Sequence, residues 1–239
     1  ELLSDSEKIE GLITSNWAVM GEFDRQHRVK LVIDEWGSWF RPGSELNSTH
    51  LLGQQSTIRD AVLAGATLNT FHRHADKIAM ANIAQLVNCL QALFFAHEDQ
   101  FALTPTYHVF DMYAAHQGAE SLRTLVSTPE VRFDRNGKLA ALRGLSASAS
   151  LNGKTLVLTV ANPDPKAARV AEIQLRGAVA SGAVQGRVLE SGGDLNAHNT
   201  FADPNRIALK PVTIESVKAG LLAHTFPAAS VTRFDIPLA

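Results

Sequence analysis

The sequence has one cysteine in 239 residues, Cys89, so no disulfide can form within the chain. That fits a reducing, cytoplasmic setting. It has no basic block: 22 lysines and arginines are interspersed with 24 acidic residues, for a net charge of −2. Nucleic acid is therefore not an expected partner. No apolar run approaches the roughly 20 residues needed to cross a bilayer, and Asn88, Gln91, His97 and Glu98 break the longest ones, so no membrane partner is expected either. The chain starts at Glu1 and no segment resembling a secretory signal follows. Asn47-Ser48-Thr49 fits the acceptor pattern for N-glycosylation, which matters only in a secretory pathway. With 45% hydrophobic residues, the chain has enough apolar side chains for a packed core, which excludes a disordered protein.

The residues fall into two kinds of pattern that meet near Leu125, which predicts two regions, 1–125 and 126–239. In the first, residues 2–20 read as helical. Lys30-Leu31-Val32-Ile33-Asp34 reads as a strand buried on both sides. Residues 54–70 carry apolar side chains at helical spacing, residues 76–85 read as a further helical turn or two, and residues 86–94 read as another buried strand. Thr104-Pro105 predicts a helix start, with threonine as cap and proline at the first helical position. Strand, helix, strand, helix is the order of an α/β barrel or a doubly wound sheet. The second region has short strands, at 156–160, 170–175, 184–189, 213–217, 221–226 and 230–236. They are separated by turns such as Asn162-Pro163-Asp164-Pro165, a pattern that predicts a β-sandwich.

The chemistry-bearing segment is Asp34-Glu35-Trp36-Gly37-Ser38-Trp39-Phe40. A carboxylate at the C-terminal end of a barrel strand faces the active site. Trp36 and Trp39 offer flat apolar faces suited to stacking on a sugar ring, and Gly37 allows a sharp turn. The plainer reading is that strand-end acids cap the next helix or pair with a surface base. His72, His74 and Asp76 hint at a metal site, but no fourth ligand is evident and a structural role is expected. Cys89 reads as a small core residue on a strand, Gly192-Gly193 as a turn, and residues 194–205 as a turn-dense loop near the active site or at a subunit contact.

Asp34-Glu35-Trp36-Gly37-Ser38-Trp39-Phe40 resembles the nucleophile motif of glycoside hydrolase family 51, the α-L-arabinofuranosidases. The resemblance continues in order through Thr57-Ile58-Arg59-Asp60-Ala61, residues 68–76, Met80-Ala81-Asn82-Ile83-Ala84-Gln85, residues 103–113 and residues 194–201. It implies a (β/α)8 TIM barrel followed by a β-sandwich of jelly-roll type. The strand before Glu35 would be the seventh of the barrel and the strand around Leu90 the eighth. It implies that Glu35 is the nucleophile of a retaining mechanism and that Gln91, at the end of the last strand, contacts the sugar, with no cofactor and no metal. In the family the acid/base is a glutamate that follows an asparagine on the fourth strand. The chain has no Asn-Glu pair, so the first six strands and the acid/base are expected in a missing N-terminal part, and the chain alone is expected to be inactive. The implied substrate is an arabinose-containing oligosaccharide or polysaccharide, and the implied assembly a homo-oligomer, a hexamer by resemblance. Two other readings remain: a related barrel glycosidase acting on another sugar, and a non-catalytic carbohydrate-binding or assembly module.

Overall fold

The computed structural model describes the 239 residues except 42, 47, 48, 50, 51 and 215–220. Asn47 and Ser48 of the Asn47-Ser48-Thr49 triplet and the end of the strand expected at 213–217 lie outside the described residues.

Helices α1 (Leu2–Ser6) and α2 (Lys8–Phe23) open the chain. Strand β1 (Leu31–Trp36), helix α3 (Ile58–Arg73) and strand β2 (Ile78–Ile83) then form a strand–helix–strand unit, with β1 and β2 paired in parallel. Leu31, Ile33 and Trp36 of β1 join Ile78, Ala81 and Ile83 of β2 in a core shared with Ile58, Val62 and Phe71 of α3. On the opposite face Val32 and Met80 are about half exposed.

The second parallel strand is thus not the one expected at 86–94. It is Ile78–Ile83, where helical turns were expected, because Ile78 and Ala81 stand three apart and mimic a helical stripe. Residues 86–93 form an irregular loop instead, with Asn88 at φ 57° and Leu90 at φ 49°, angles that a strand does not accommodate. Their apolar character serves loop burial: Leu90 and Ala92 are buried. Cys89 therefore lies in a loop, partly exposed, rather than on a core strand. A hairpin of β3 (Phe94–His97) and β4 (Gln100–Leu103) follows. Helix α4 (Pro105–Tyr113) starts as the sequence predicts, with Thr104 Oγ1 accepting from the Tyr107 N–H at 3.3 Å.

The rest of the chain is sheet. In order come β5 (Glu120–Leu122), β6 (Val131–Arg135), β7 (Lys138–Leu142), β8 (Ser146–Asn152), β9 (Thr155–Asn162), β10 (Arg169–Gln174), β11 (Val184–Leu189), β12 (Lys210–Ile214), β13 (Leu221–Phe226) and β14 (Ser230–Pro237). A six-stranded antiparallel sheet runs β12-β11-β14-β9-β8-β5, while β10 pairs with β13 and β6 with β7. Strand β5 belongs to the six-stranded sheet, through Glu120↔Leu151 to Leu122↔Ala149, so this sheet begins upstream of the division expected at 125/126.

Alternation along the strands gives the six-stranded sheet two packed faces. One carries Ala147, Leu158, Val160, Phe234 and Ile236 against Leu222 and Phe226 of β13, and each fully buried phenylalanine contributes about 1.5–3 kcal/mol. The other face turns Ala161, Leu189 and Val231 toward α3 and α4, within the core that also holds β1 and β2.

Between α3 and the sheet lies a polar seam. The hydroxyls of Tyr113, Ser148 and Thr159 converge at 2.8, 2.8 and 2.9 Å on Asn69 Oδ1, and Asn69 Nδ2 donates to the Ser146 carbonyl at 2.9 Å. His72 and His116 stack edge-on at 4.5 Å. His72 Nδ1 meets Ser148 Oγ at 3.2 Å, and His116 meets Ser150 Oγ at 2.7 Å and Thr159 Oγ1 at 3.1 Å. Burial pushes the pKa of His72 from 6.5 down to about 4, and burial, His72 and Arg233 push that of His116 down to about 3. Below pH 6.5 the unfolded chain therefore takes up protons that the folded histidines refuse. Stability is complete above that pH and falls as pH drops toward 4, by about 2–3 kcal/mol for one such shift. Thermal unfolding midpoints at pH 7.5 and 4.5 are expected to differ by several degrees. His72→Gln, which keeps a partner for Ser148, is expected to flatten that slope; an unchanged slope would remove His72 as a source of it.

Candidate active site

The register of β1 on β2 advances from Ile33↔Ala81 to Trp36↔Ile83, three residues on β1 against two on β2. The extra residue falls at Asp34-Glu35, and an insertion of this kind re-aims the side chains around it. Strict alternation from Ile33 would turn Glu35 toward the helices and Trp36 away from them. Instead Trp36 closes the core and both Asp34 and Glu35 are exposed. Among the described residues none forms a hydrogen bond or ion pair with the Glu35 carboxylate. Its charge reaches Cys89, where burial first and Glu35 second raise the thiol pKa.

The two tryptophans part company. Trp36 is 6% exposed, edge-on to Phe71 at 5.4 Å and stacked on Phe110 at 6.0 Å. It packs against core rings in the position where the sequence predicts a sugar platform. Trp39 is 66% exposed, and its indole is free to stack.

Gln91 does not stand at the end of a strand. It sits in the loop after β2, fully buried beneath the Glu35 loop. Its Nε2 lies 2.6 Å from Ser38 Oγ, 3.3 Å from the Ser38 carbonyl and 3.3 Å from Asp60 Oδ1, while its Oε1 has no partner among the described residues. Gly37, at φ 143°, passes so close that a Cβ there would lie 2.5 Å from Gln91 Cγ. In this geometry the amide braces the loop, which corrects its expected placement at the end of a strand.

Sequence reasoning missed Asp60. It is the third residue of α3 and fully buried. Its Oδ2 accepts from Thr57 N at 2.7 Å and Thr57 Oγ1 at 3.0 Å, completing a capping box. Its Oδ1 accepts from Ser38 Oγ and from Gln91 Nε2, each at 3.3 Å. Desolvation raises its pKa, while Arg59 at 3.8 Å, the Thr57 N–H and Gln91 pull the other way. The spacing Thr57-x-x-Asp60 signals a cap; nothing in the sequence signals the second set of bonds.

The turn-dense loop 194–205 also takes part. The carbonyls of Ala197 and Leu195 accept the first N–H groups of α3, from Ile58 at 2.9 Å and Arg59 at 3.1 Å. Asn199, buried, ties the loop to the end of β4 through the Leu103 carbonyl at 2.9 Å. A cavity of about 940 Å³ opens beside the loop after β2, with Asn88, Cys89, Phe95, His97 and Phe201 on its walls. The residues weighed as metal ligands have other partners: His72 faces Ser148, His74 Nε2 meets Glu10 at 3.2 Å and Asp76 pairs with Lys77 at 2.7 Å.

Comparison with known proteins gives this geometry a family. The chain is 31% identical over 229 residues to an intracellular exo-alpha-L-arabinofuranosidase of Bacteroides ovatus, covering 96% of this chain and 44% of that protein. An intracellular exo-alpha-(1->5)-L-arabinofuranosidase of Streptomyces lividans is 25% identical, over 90% of this chain and 33% of its own length. Among solved structures, the GH51 arabinofuranosidase of Xanthomonas axonopodis pv. citri superposes with a TM-score of 0.88 at 32% identity, covering 98% of this chain and 46% of that one. The chain thus spans less than half the length of the relatives it matches. The family profile of the alpha-L-arabinofuranosidase C-terminal domain matches residues 34–230, and the chain belongs to that family, as the C-terminal part of a GH51 arabinofuranosidase.

Proposed function

We propose that this chain carries the nucleophile of a retaining exo-α-L-arabinofuranosidase that removes terminal α-L-arabinofuranosyl groups from arabinan, arabinoxylan or arabino-oligosaccharides. The observation that carries the reading is the extra residue in β1, which holds Glu35 off the helix-packed face at the C-terminal end of a parallel strand. In a retaining glycosidase two carboxyl groups stand roughly 5 Å apart. Glu35 attacks the anomeric carbon while the second group protonates the departing oxygen; that group then deprotonates the water that cleaves the glycosyl ester. The second carboxyl comes from an N-terminal part of the enzyme, which also supplies the other strands of a (β/α)8 barrel. This agrees with the 44% share of the Bacteroides ovatus relative that the chain spans. The half-exposed Val32 and Met80 then face the barrel interior. Trp39 stacks on substrate at the rim. The complete protein works in the cytoplasm, as the two relatives named intracellular do.

The test compares the complete enzyme on aryl α-L-arabinofuranoside and aryl β-xyloside. The expected result is a kcat/KM preference for the arabinofuranoside of about a hundredfold or more, the scale on which a site built for one sugar's hydroxyls rejects another. Equal rates, or a preference for the xyloside, would assign the barrel to another sugar. Binding of arabinose oligomers by the complete protein without turnover would favour a binding module.

A further inference from the structure

The segment Thr57-Ile58-Arg59-Asp60-Ala61 has no part in the two-step reaction, yet it holds a carboxylate, Asp60, with no access to solvent. Capping α3 uses only Oδ2, through its two bonds to Thr57. Oδ1 is turned away from the helix toward Ser38 and Gln91. Burying a carboxylate costs several kcal/mol unless its oxygens are bonded, and here half of that bonding goes to loops outside the helix. Both loops bear on the reacting group. Ser38 follows Glu35 by three residues, and its carbonyl accepts from Gln54 Nε2 at 3.0 Å as well as from Gln91. Gln91 reaches back to the residue just past β2 through its backbone N–H, 2.9 Å from the Ala84 carbonyl. The close approach of Gly37 to Gln91 Cγ leaves the Glu35 loop no room to roll toward that side.

We propose that Asp60 is a positioning residue for the glycosidase: by accepting from both Ser38 Oγ and Gln91 Nε2, which also bond each other at 2.6 Å, it anchors the loop that follows Glu35 and the loop that follows β2 to helix α3 and so fixes the attack geometry. The proposal rests on the reading of Glu35 as nucleophile. A loop freed to shift by about 1 Å costs on the order of a hundredfold in rate, without altering which sugar groups are bound.

The test uses the complete enzyme and three variants on an aryl α-L-arabinofuranoside, with kcat corrected for the folded fraction read from urea unfolding. Ser38→Ala leaves both capping bonds of Asp60 and its bond to Gln91 in place and removes the Ser38 hydroxyl's bonds to Asp60 Oδ1 and Gln91 Nε2; it is expected to lower kcat about tenfold with KM within about twofold. Asp60→Asn is expected to lower kcat about a hundredfold with the same KM. A cap that merely holds the helix would lower the folded fraction and leave the corrected kcat at the parent value, and that result for Ser38→Ala overturns the proposal even if Asp60→Asn fails to fold. Glu35→Ala with added azide is the separate control. If it is inactive and azide restores turnover while Ser38→Ala keeps the parent kcat, the positioning role alone fails. If Glu35→Ala keeps parent activity, the nucleophile reading fails and the positioning role with it.

Discussion

Replacing Glu35 by alanine in the complete enzyme is expected to cut turnover of an aryl α-L-arabinofuranoside roughly ten-thousand-fold or more, the scale of loss when a nucleophile is taken from a set of groups that act as a unit. That corresponds to about 5 kcal/mol of barrier. Without the carboxylate no glycosyl ester forms, and the first step loses its attacking atom. The fold is expected to survive, because the side chain is exposed and no described residue hydrogen-bonds to it. Alanine also opens space on the face from which the carboxylate attacks. Azide entering there displaces the aryloxide and gives an arabinofuranosyl azide of inverted configuration, identifiable by its anomeric proton signal. Turnover within tenfold of the parent would remove Glu35 as nucleophile.

The two tryptophans of the same segment are expected to answer in opposite currencies. Trp36→Ala is expected to cost about 3–5 kcal/mol of stability, as the loss of a large buried aromatic does, because the indole is packed between Phe71 and Phe110. Trp39→Ala is expected to change stability by less than about 0.5 kcal/mol, as exposed positions do, and to raise KM. Urea midpoints paired with KM on the complete enzyme read both effects. A Trp36→Ala protein with the parent midpoint and a raised KM would return Trp36 to the sugar site.

Elements whose cues are local were legible. Thr104-Pro105 starts α4 where cap chemistry places it. The strands expected at 184–189 and 221–226 coincide with β11 and β13. Misreading came where composition obeys a distant constraint. Residues 86–93 are apolar to pack a loop, so they imitate a strand, and Ile78 and Ala81, three apart, imitate a helical stripe. The extra residue at Asp34-Glu35 exists only relative to β2, so no window of sequence contains it. Trp36 and Trp39 look alike as letters; a three-residue offset sends one into the core and the other into solvent. Asp60 was missed: the Thr57-x-x-Asp60 spacing signals a cap alone, and its second set of partners lies 22 and 31 residues away.

The first N–H groups of α3 are held by the carbonyls of Leu195 and Ala197, from the far side of the sandwich sequence. The sandwich is therefore no detachable accessory: part of it plugs the foot of the helix that underlies the Glu35 loop. Chimeras that exchange sandwiches between arabinofuranosidases must carry this plug with its matching helix, or the graft will arrive with an uncorked helix end beside the chemistry.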